Sequence, residues 1–198
     1  MIYTMSFNLG SIWSNPKQSQ KNNNKVPINK IIVKKAYRPT TNNNKRRPDT
    51  KVFWGEPTWF FFHTLAEKID PVYYRNNYKD IWEFIKKICA HLPCPYCKNH
   101  ALSYIKNINE RSVITKDGLI NVLYEFHNNV NIRTGKGNIG KEVLNKYKKA
   151  NTHRIFTLFE NRFFYSYIGT RTFTDWIKNE LKQEYYKFCN KIESHILK

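Results

Sequence analysis

Long apolar runs are missing from this 198-residue chain. A helix that crosses a bilayer needs roughly 18 or more consecutive apolar residues, and no stretch approaches that length. The first 25 residues also lack a basic segment followed by an uninterrupted apolar one, so we expect no secretory signal. The sequence therefore predicts a protein that is not secreted and has no membrane span.

Cysteine is scarce, with four residues in the whole chain. Small secreted domains that depend on disulfides carry cysteine at much higher density and begin with a signal peptide. We therefore expect a cytosolic, reducing environment. In that setting, two cysteines placed two residues apart are either catalytic or metal-binding.

Acidic side chains are also few: 15 Asp and Glu stand against 34 Lys and Arg, which gives a net charge of +19. Nearly half of this excess lies in residues 1–50, which hold ten basic and one acidic side chain. The Asn- and Lys-rich stretches there have little to bury, so we expect a mostly disordered basic arm. Two interpretations remain open for it, a solvated tail or a weak contact with nucleic acid.

The segment Cys94-Pro95-Tyr96-Cys97 is the most informative motif in the chain. Pro95 suits the first turn of a helix, where a missing N–H costs little. Unpaired N–H groups and the helix dipole stabilise a thiolate at that position. We expect Cys94 to be the exposed sulfur and Cys97 to lie one turn deeper, an asymmetry that suits dithiol exchange.

From Trp54 onward the apolar residues recur at helical spacing, without an alternating strand pattern. Caps, prolines and glycines set the predicted ends of five helices. In chain order these run from Pro57 to about Ile69, from Tyr73 to His91, from the cysteine pair to about Ile105, from Thr115 or Asp117 to Gly135, and from Lys141 to Lys149. The sequence predicts an all-α protein in which residues 51–150 form a four-helix bundle with a short fifth helix.

Residues 151–198 are predicted to be an aromatic-rich extension that ends in an amphipathic helix. The segment Thr172-Phe173-Thr174-Asp175 resembles a capping box. Apolar residues follow it at helical spacing, namely Trp176, Ile177, Leu181, Phe188, Ile192 and Ile196. We expect this face to pack on its own bundle, and a partner or dimer face is the alternative.

Two of the predicted helices each carry a polar or aromatic pair four residues apart. Trp59 and His63 lie one above the other on the first helix, and His127 and Asn131 do so on the fourth. An inward histidine is most often a hydrogen-bonded core residue. Together with the thiol pair, however, these four side chains could line a pocket for a planar ligand.

Four segments of the sequence resemble, in order and spacing, the Erv/ALR family of FAD-linked sulfhydryl oxidases, and most of all its members from large cytoplasmic DNA viruses. The likeness covers about residues 52–150. The segments are Trp54-Gly55-Glu56-Pro57-Thr58-Trp59, Phe62-His63-Thr64-Leu65-Ala66, Leu92-Pro93-Cys94-Pro95-Tyr96-Cys97 and His127-Asn128-Asn129-Val130-Asn131, with Gly135-Lys136 after them.

The resemblance implies a helical bundle that holds FAD at one end. It implies that Cys97 lies next to the flavin, that Cys94 exchanges with thiol substrate proteins, and that the electrons reach oxygen and yield hydrogen peroxide. Disulfide formation in virion proteins, in host cytoplasm or the virion, is the implied role, and homodimerisation stays open. The implied FAD-contacting residues are Trp59, His63, His127, Asn128, Asn131 and Lys136.

The chain departs from the family pattern in two respects. Gly55 is followed by Glu56, where many members have an arginine. Many members also carry a shuttle cysteine pair, whereas only Cys89 and Cys189 remain here, and both fit apolar helix faces in the core. A substrate protein would therefore reach Cys94 directly or bring its own relay dithiol.

Three other interpretations of these features are weaker. A structural zinc site at Cys94, Cys97 and His100 would normally need a second close ligand pair, which is absent, so we expect no metal. The glycine spacing of residues 135–140 matches a dinucleotide fingerprint but follows a predicted helix rather than a strand. A non-enzymatic nucleic-acid binder is disfavoured because the aromatic residues occupy helical core positions rather than alternating with the basic runs.

Overall fold

The structure is a computed structural model that describes residues 50–167 and 174–197. The predicted basic arm lies outside these residues except for its last position. Thr172 and Phe173 of the predicted capping box also lie outside them.

The described residues form helices, and their only β-type contact is an isolated antiparallel bridge between Ile69 and Ile196. The α-helices of this part are α1 (Thr50–Lys68), α2 (Pro71–Ala90), α3 (Pro95–Lys106), α4 (Lys116–Arg133), α5 (Asn145–Lys148), α6 (Thr152–Tyr165) and α7 (Asp175–Ile192). Short 3-10 helices lie at Glu110–Val113, Lys141–Leu144 and Glu193–His195. The all-α prediction is confirmed.

Side-chain caps begin five of the described α-helices, each by accepting a backbone N–H from the next turn. Cys94 caps α3, and Asn151 caps α6 at 3.1 Å. Asp70 does so for α2 at 2.7 Å, Thr115 for α4 at 3.1 Å and Thr174 for α7 at 3.4 Å. Each cap satisfies an N–H that has no partner inside the helix. Of the two predicted caps of α4, Thr115 is therefore the one that is used.

Gly135 ends α4, as predicted. Its φ of 74° is a left-handed conformation that favours glycine. The N–H of Gly135 donates to the carbonyl of Ile132 at 3.0 Å, and the N–H of Lys136 donates to that of Asn131 at 2.8 Å. These two bonds form a Schellman motif, so the chain turns sharply where Lys136 leaves the helix.

The predicted start of the first helix is wrong, because α1 begins seven residues before Pro57, at Thr50. A proline inside a helix removes one backbone hydrogen bond. Trp54 is buried in the core and anchors the turn before the proline, and the Thr58 hydroxyl donates to the Trp54 carbonyl at 2.8 Å. The packing of Trp54 thus extends the helix past a residue that normally marks a boundary.

Helix α6 packs along α1, although the sequence predicted only an aromatic-rich tail there. Phe61 stacks on Phe159 with ring centroids 4.4 Å apart and meets Phe156 edge-on at 4.7 Å. Phe159 in turn stacks on Phe163 at 4.8 Å. These rings lie in the same core as the first four helices, so α6 completes the bundle.

Helix α7 packs on α2, which confirms the expectation that the last helix covers its own bundle. Phe188 stacks on Phe84 with ring centroids 3.8 Å apart, and Lys191 pairs with Asp80 at 2.6 Å. Trp176, however, is 71% exposed, so its predicted place in the apolar face is wrong. It lies in the first turn of α7, beyond the part of that helix that reaches α2.

The end of the described chain returns to the turn between α1 and α2. The N–H of Asp70 donates to the carbonyl of His195 at 2.8 Å, and the N–H of Leu197 donates to that of Lys68 at 2.7 Å. These bonds fix the segment that follows α7 against the turn between α1 and α2. None of the helices in the described part is both long and apolar enough to span a membrane.

Candidate active site

The cysteine pair lies at the start of α3, as predicted. Cys94 is the N-cap residue and its Sγ accepts the backbone N–H of Cys97 at 3.2 Å. Pro95 occupies the first turn, where its missing N–H leaves no gap in the hydrogen bonding. Cys94 is half-buried whereas Cys97 is only 8% exposed, so one sulfur is open to a partner and the other faces the interior.

Cys97 borders a cavity of about 630 Å³ enclosed by α1, the end of α2, α3, α4 and α5. Four of the predicted cofactor residues line the same cavity: Trp59, His127, Asn131 and Lys136. The structure thus brings residues from two distant helices and a loop together with the inner sulfur. Within a single cavity, it joins a thiol, a flat aromatic wall and several polar groups.

The flat wall is built by Trp59 of α1 and His127 of α4. Their rings are nearly parallel, at 6°, with centroids 4.1 Å apart. His63 lies behind them and does not line the cavity, but its Nε2 is 3.0 Å from Nδ1 of His127. The ring of Tyr147 of α5 also stacks on His63, with centroids 4.7 Å apart, so further rings support the wall.

Both histidines of this array favour the neutral form. Burial lowers the pKa of His63 well below its usual value, and the nearby His127 lowers it further. Burial, together with the positive charges of Lys146 and Lys136, lowers the pKa of His127 to about 4. At neutral pH each ring therefore has one N–H, and one imidazole donates to the other.

Asn128 holds the loop after α4 instead of lining the cavity. Its Nδ2 donates to the Ile139 carbonyl at 3.1 Å, and its Oδ1 accepts the Ile139 N–H at 3.0 Å. The side-chain amide of Asn128 thus satisfies both backbone hydrogen-bonding groups of Ile139. This pair of bonds fixes the loop that carries Lys136.

Several buried polar atoms around the cavity have no hydrogen-bond partner. Trp54 Nε1, Asn131 Nδ2 and Arg133 Nε all belong to residues that line it. Such atoms are rare in folded proteins because each unpaired one costs about 1–3 kcal/mol. Their concentration here indicates a site that is completed by a polar ligand.

Three cations also line the cavity, namely Arg133, Lys136 and Lys146. Sequence analysis found only Lys136 and missed Arg133, Lys146 and the neighbouring Tyr147. The position of Arg133, two residues after Asn131 at the end of the same helix, is a signal that could have found it. Lys146 and Tyr147 are separated from α4 by the loop and the 3-10 helix before α5. No helical spacing in the sequence therefore connects these two residues with the site.

Of the two remaining cysteines, Cys89 is buried in the apolar core, as expected, whereas Cys189 is half-buried and interacts with Tyr185, Glu160 and Glu193, so its expected place in the core is wrong. Burial raises the pKa of Cys89 to about 12 and that of Cys189 to about 11. Cys89 borders the main cavity, while Cys189 borders a separate one of about 640 Å³ between α6 and α7. A buried neutral thiol exchanges slowly, so Cys89 is poorly placed for exchange with a partner.

In the described residues, no group of three or more His, Cys, Asp or Glu side chains is placed to hold a metal ion.

The glycines of residues 135–140 follow α4 in a loop. No strand therefore precedes this segment, although its glycine spacing matches a dinucleotide fingerprint.

Residues 56–150 match the model of the Erv1 / Alr family. The FAD-linked sulfhydryl oxidase of African swine fever virus is 30% identical over 99 residues, covering 49% of this chain and 82% of that protein. A protein of Invertebrate iridescent virus 6 named for the same activity is 33% identical over 100 residues, covering 47% and 89%. FAD-linked sulfhydryl oxidase ERV1 of Arabidopsis thaliana is 30% identical over 89 residues, covering 45% and 46%. No solved structure matches the chain significantly.

Proposed function

The chain belongs to the Erv1/Alr family, and from that premise we propose that it forms disulfide bonds in protein substrates. It is a FAD-linked sulfhydryl oxidase. The observation that carries this assignment is that Cys97 borders the same cavity as the stacked pair Trp59 and His127. A reducible planar cofactor and a thiol can meet there, with Cys94 left open to the outside.

The residues around the cavity fit FAD. The wall made by Trp59 and His127 suits one of the flat rings of the cofactor, and the unpaired Asn131 Nδ2 offers it a hydrogen bond. The cations Lys136 and Arg133 suit its anionic diphosphate. His63 and Asn128 would then act from behind the wall, by orienting His127 and by holding the loop of Lys136.

The thiol chemistry follows from the two positions of the sulfurs. A substrate thiolate attacks Sγ of Cys94 in the Cys94–Cys97 disulfide, which forms a mixed disulfide and releases the Cys97 thiolate. A second substrate thiolate then attacks the substrate sulfur of that mixed disulfide and displaces Cys94. The substrate has lost two electrons and two protons, and Cys94 and Cys97 are left as a dithiol.

FAD held by these residues would supply the acceptor for the two electrons of this dithiol, with oxygen as the final acceptor and hydrogen peroxide as the product. The contribution of the chain to this step is to hold the two sulfurs in place. The inner place of Cys97 keeps it against the cofactor cavity. The N–H that Cys97 donates to Cys94 Sγ orients the outer sulfur.

Substrates reach Cys94 without a shuttle in this chain. Only Cys89 and Cys189 remain beyond the catalytic pair; they do not lie two residues apart as a shuttle pair would, and burial raises the pKa of each thiol. The substrate is therefore a thiol protein that contacts Cys94 directly, or a partner that brings a relay dithiol. Given the viral relatives, we place this activity in disulfide formation of virion proteins, in host cytoplasm or in the virion.

We assign the oxidase module to residues 51–150, with residues 1–50 as a basic arm and residues 151–198 as a helical extension. The extension supports the module closely, because α6 shares its core with α1 through Phe61 and Phe159. We therefore expect activity to require the extension.

The test is purification of the full chain, an absorbance spectrum, and oxygen uptake with dithiothreitol. We expect a yellow protein that carries FAD and consumes oxygen in proportion to the thiol oxidised, with hydrogen peroxide accumulating. A colourless protein that stays without flavin after FAD is added would contradict the assignment.

A further inference from the structure

Basic side chains outnumber acidic ones around Cys94, and Glu125 of α4 acts on Tyr104, near the other end of α3. Residues 91–106, which hold the cysteine pair and α3, contain two lysines and no acidic residue. Residues 126–141, at the end of α4 and in its loop, contain three Lys or Arg and again no acidic residue. The acidic residue that lines the cavity, Glu56, interacts with Lys146 and Tyr147 of α5, on the cofactor side.

Lys98 is the first lysine after the cysteine pair and lies in the first turns of α3. Its N–H donates to the carbonyl of Cys94 at 2.9 Å, which is the contact between residues one helical turn apart. Lys98 therefore lies one helical turn from Cys94, the residue that caps α3. Lys98 does not line the cofactor cavity, so the charge of a bound diphosphate is not its counterpart.

Tyr96 is an exposed aromatic ring between the two cysteines, with 66% of its surface open. The guanidinium carbon of Arg133 lies 5.0 Å from the centre of this ring, so a cation from α4 fixes the ring beside Cys94. Exposed tyrosines that are held in place are common contact residues in protein recognition. The rim of Cys94 thus combines a fixed aromatic ring with a lysine.

We propose that Tyr96 and Lys98 form the docking site for the thiol substrate and select a peptide segment that has acidic residues next to its cysteines. This inference rests on the proposed thiol oxidase function and adds the chemical class of its substrate. Acidic side chains near the incoming thiol pair with Lys98, while an apolar part of the segment covers the Tyr96 ring. The positive rim also raises the association rate with an acidic partner. Salt weakens this effect because it screens the charges.

The test uses two synthetic peptides with the same Cys-x-x-Cys core, one flanked by glutamates and one by lysines. Oxygen uptake by the FAD-loaded full chain is measured with each peptide and with dithiothreitol. We expect kcat/KM to be about tenfold higher for the acidic peptide at low salt, with the ratio falling towards one at high salt.

Variants separate the effect of the docking site from the effect of the high net positive charge of the whole chain. Lys98→Glu should reverse the preference between the peptides, and Lys98→Gln should abolish it. Lys79→Glu, the same charge change at an exposed position on α2, is the matched control and should keep the preference. Tyr96→Ala should raise KM for both peptides several-fold relative to dithiothreitol, and Tyr96→Phe should restore it.

Equal kcat/KM for the two peptides, or equal effects of Lys98→Glu and Lys79→Glu, would overturn the docking site while leaving the oxidase function standing. No oxygen uptake with dithiothreitol by the FAD-loaded chain would instead overturn the oxidase function, and the docking site with it.

Discussion

Nε2 of His63 lies 3.0 Å from Nδ1 of His127, and this contact joins α1 to α4 behind the wall of the cofactor cavity. Both rings are held neutral by burial. Because His127 stacks on Trp59 with its ring nearly parallel, the hydrogen bond also sets the plane of that wall. The pair therefore links the stability of the bundle to the shape of the site.

The histidine pair predicts acid lability. The ordinary pKa of histidine is about 6.5, whereas that of His127 in the folded state is about 4. Between these two pKa values the unfolded chain binds more protons than the folded chain. The contribution of His127 to the free energy of unfolding is therefore fully present above pH 6.5 and is lost as the pH falls towards 4. His127 alone would cost about 3 kcal/mol across this window, measurable as a falling urea midpoint.

Replacement of both rings should remove that dependence. The double variant His63→Phe with His127→Phe is expected to show a flatter profile between pH 6.5 and 4.5. His153→Asn removes an exposed histidine of α6 and is the control, with the wild-type profile expected. A double variant that keeps the full slope would show that other groups cause the acid lability.

Asn128→Ala should loosen the loop that carries Lys136. The change leaves both the N–H and the carbonyl of Ile139 without their partner, at a cost of about 1–3 kcal/mol. We expect lower stability and FAD binding weakened by up to about tenfold, measured by flavin fluorescence titration. Asn161→Ala, at an exposed position of α6, should change neither quantity, and unchanged FAD affinity in Asn128→Ala would refute the role of the loop.

Phe159→Ala should destabilise the whole protein, since this ring is fully buried and stacks on Phe61 of α1. Truncation of a buried phenylalanine costs about 3–5 kcal/mol. Trp176→Ala, at a position that is 71% exposed on α7, should cost no more than about 0.5 kcal/mol. Chemical unfolding compares the two, and a similar small loss in both would mean that α6 is not part of the cooperative core.

Local signals predicted much of the bundle. Helix α2 was found from its apolar spacing, although it starts at Pro71, two residues before the predicted Tyr73. Helices α3 and α4 were found because their boundaries depend on neighbouring residues: Pro95 in a first turn, Thr115 as a cap, and Gly135 at a left-handed end. The order of the two sulfurs followed from the same local rules. Each of these features is fixed within about one helical turn.

Features that depend on packing were missed. The start of α1 before Pro57 depends on burial of Trp54, and α6 depends on the contact of Phe159 with Phe61. Lys146 reaches the cavity only because the loop after α4 folds back. Sequence periodicity has no information on which distant surface an apolar face will meet, so these positions required the structure.

The most direct test of the account is anaerobic reduction of the FAD-loaded protein by dithiothreitol, followed in the visible absorption band of the flavin. We predict that the band bleaches in the wild type and in Cys89→Ser, while Cys97→Ser retains FAD and its band persists. Loss of the band in Cys97→Ser at the wild-type rate would contradict the central claim that electrons enter the cofactor through Cys97.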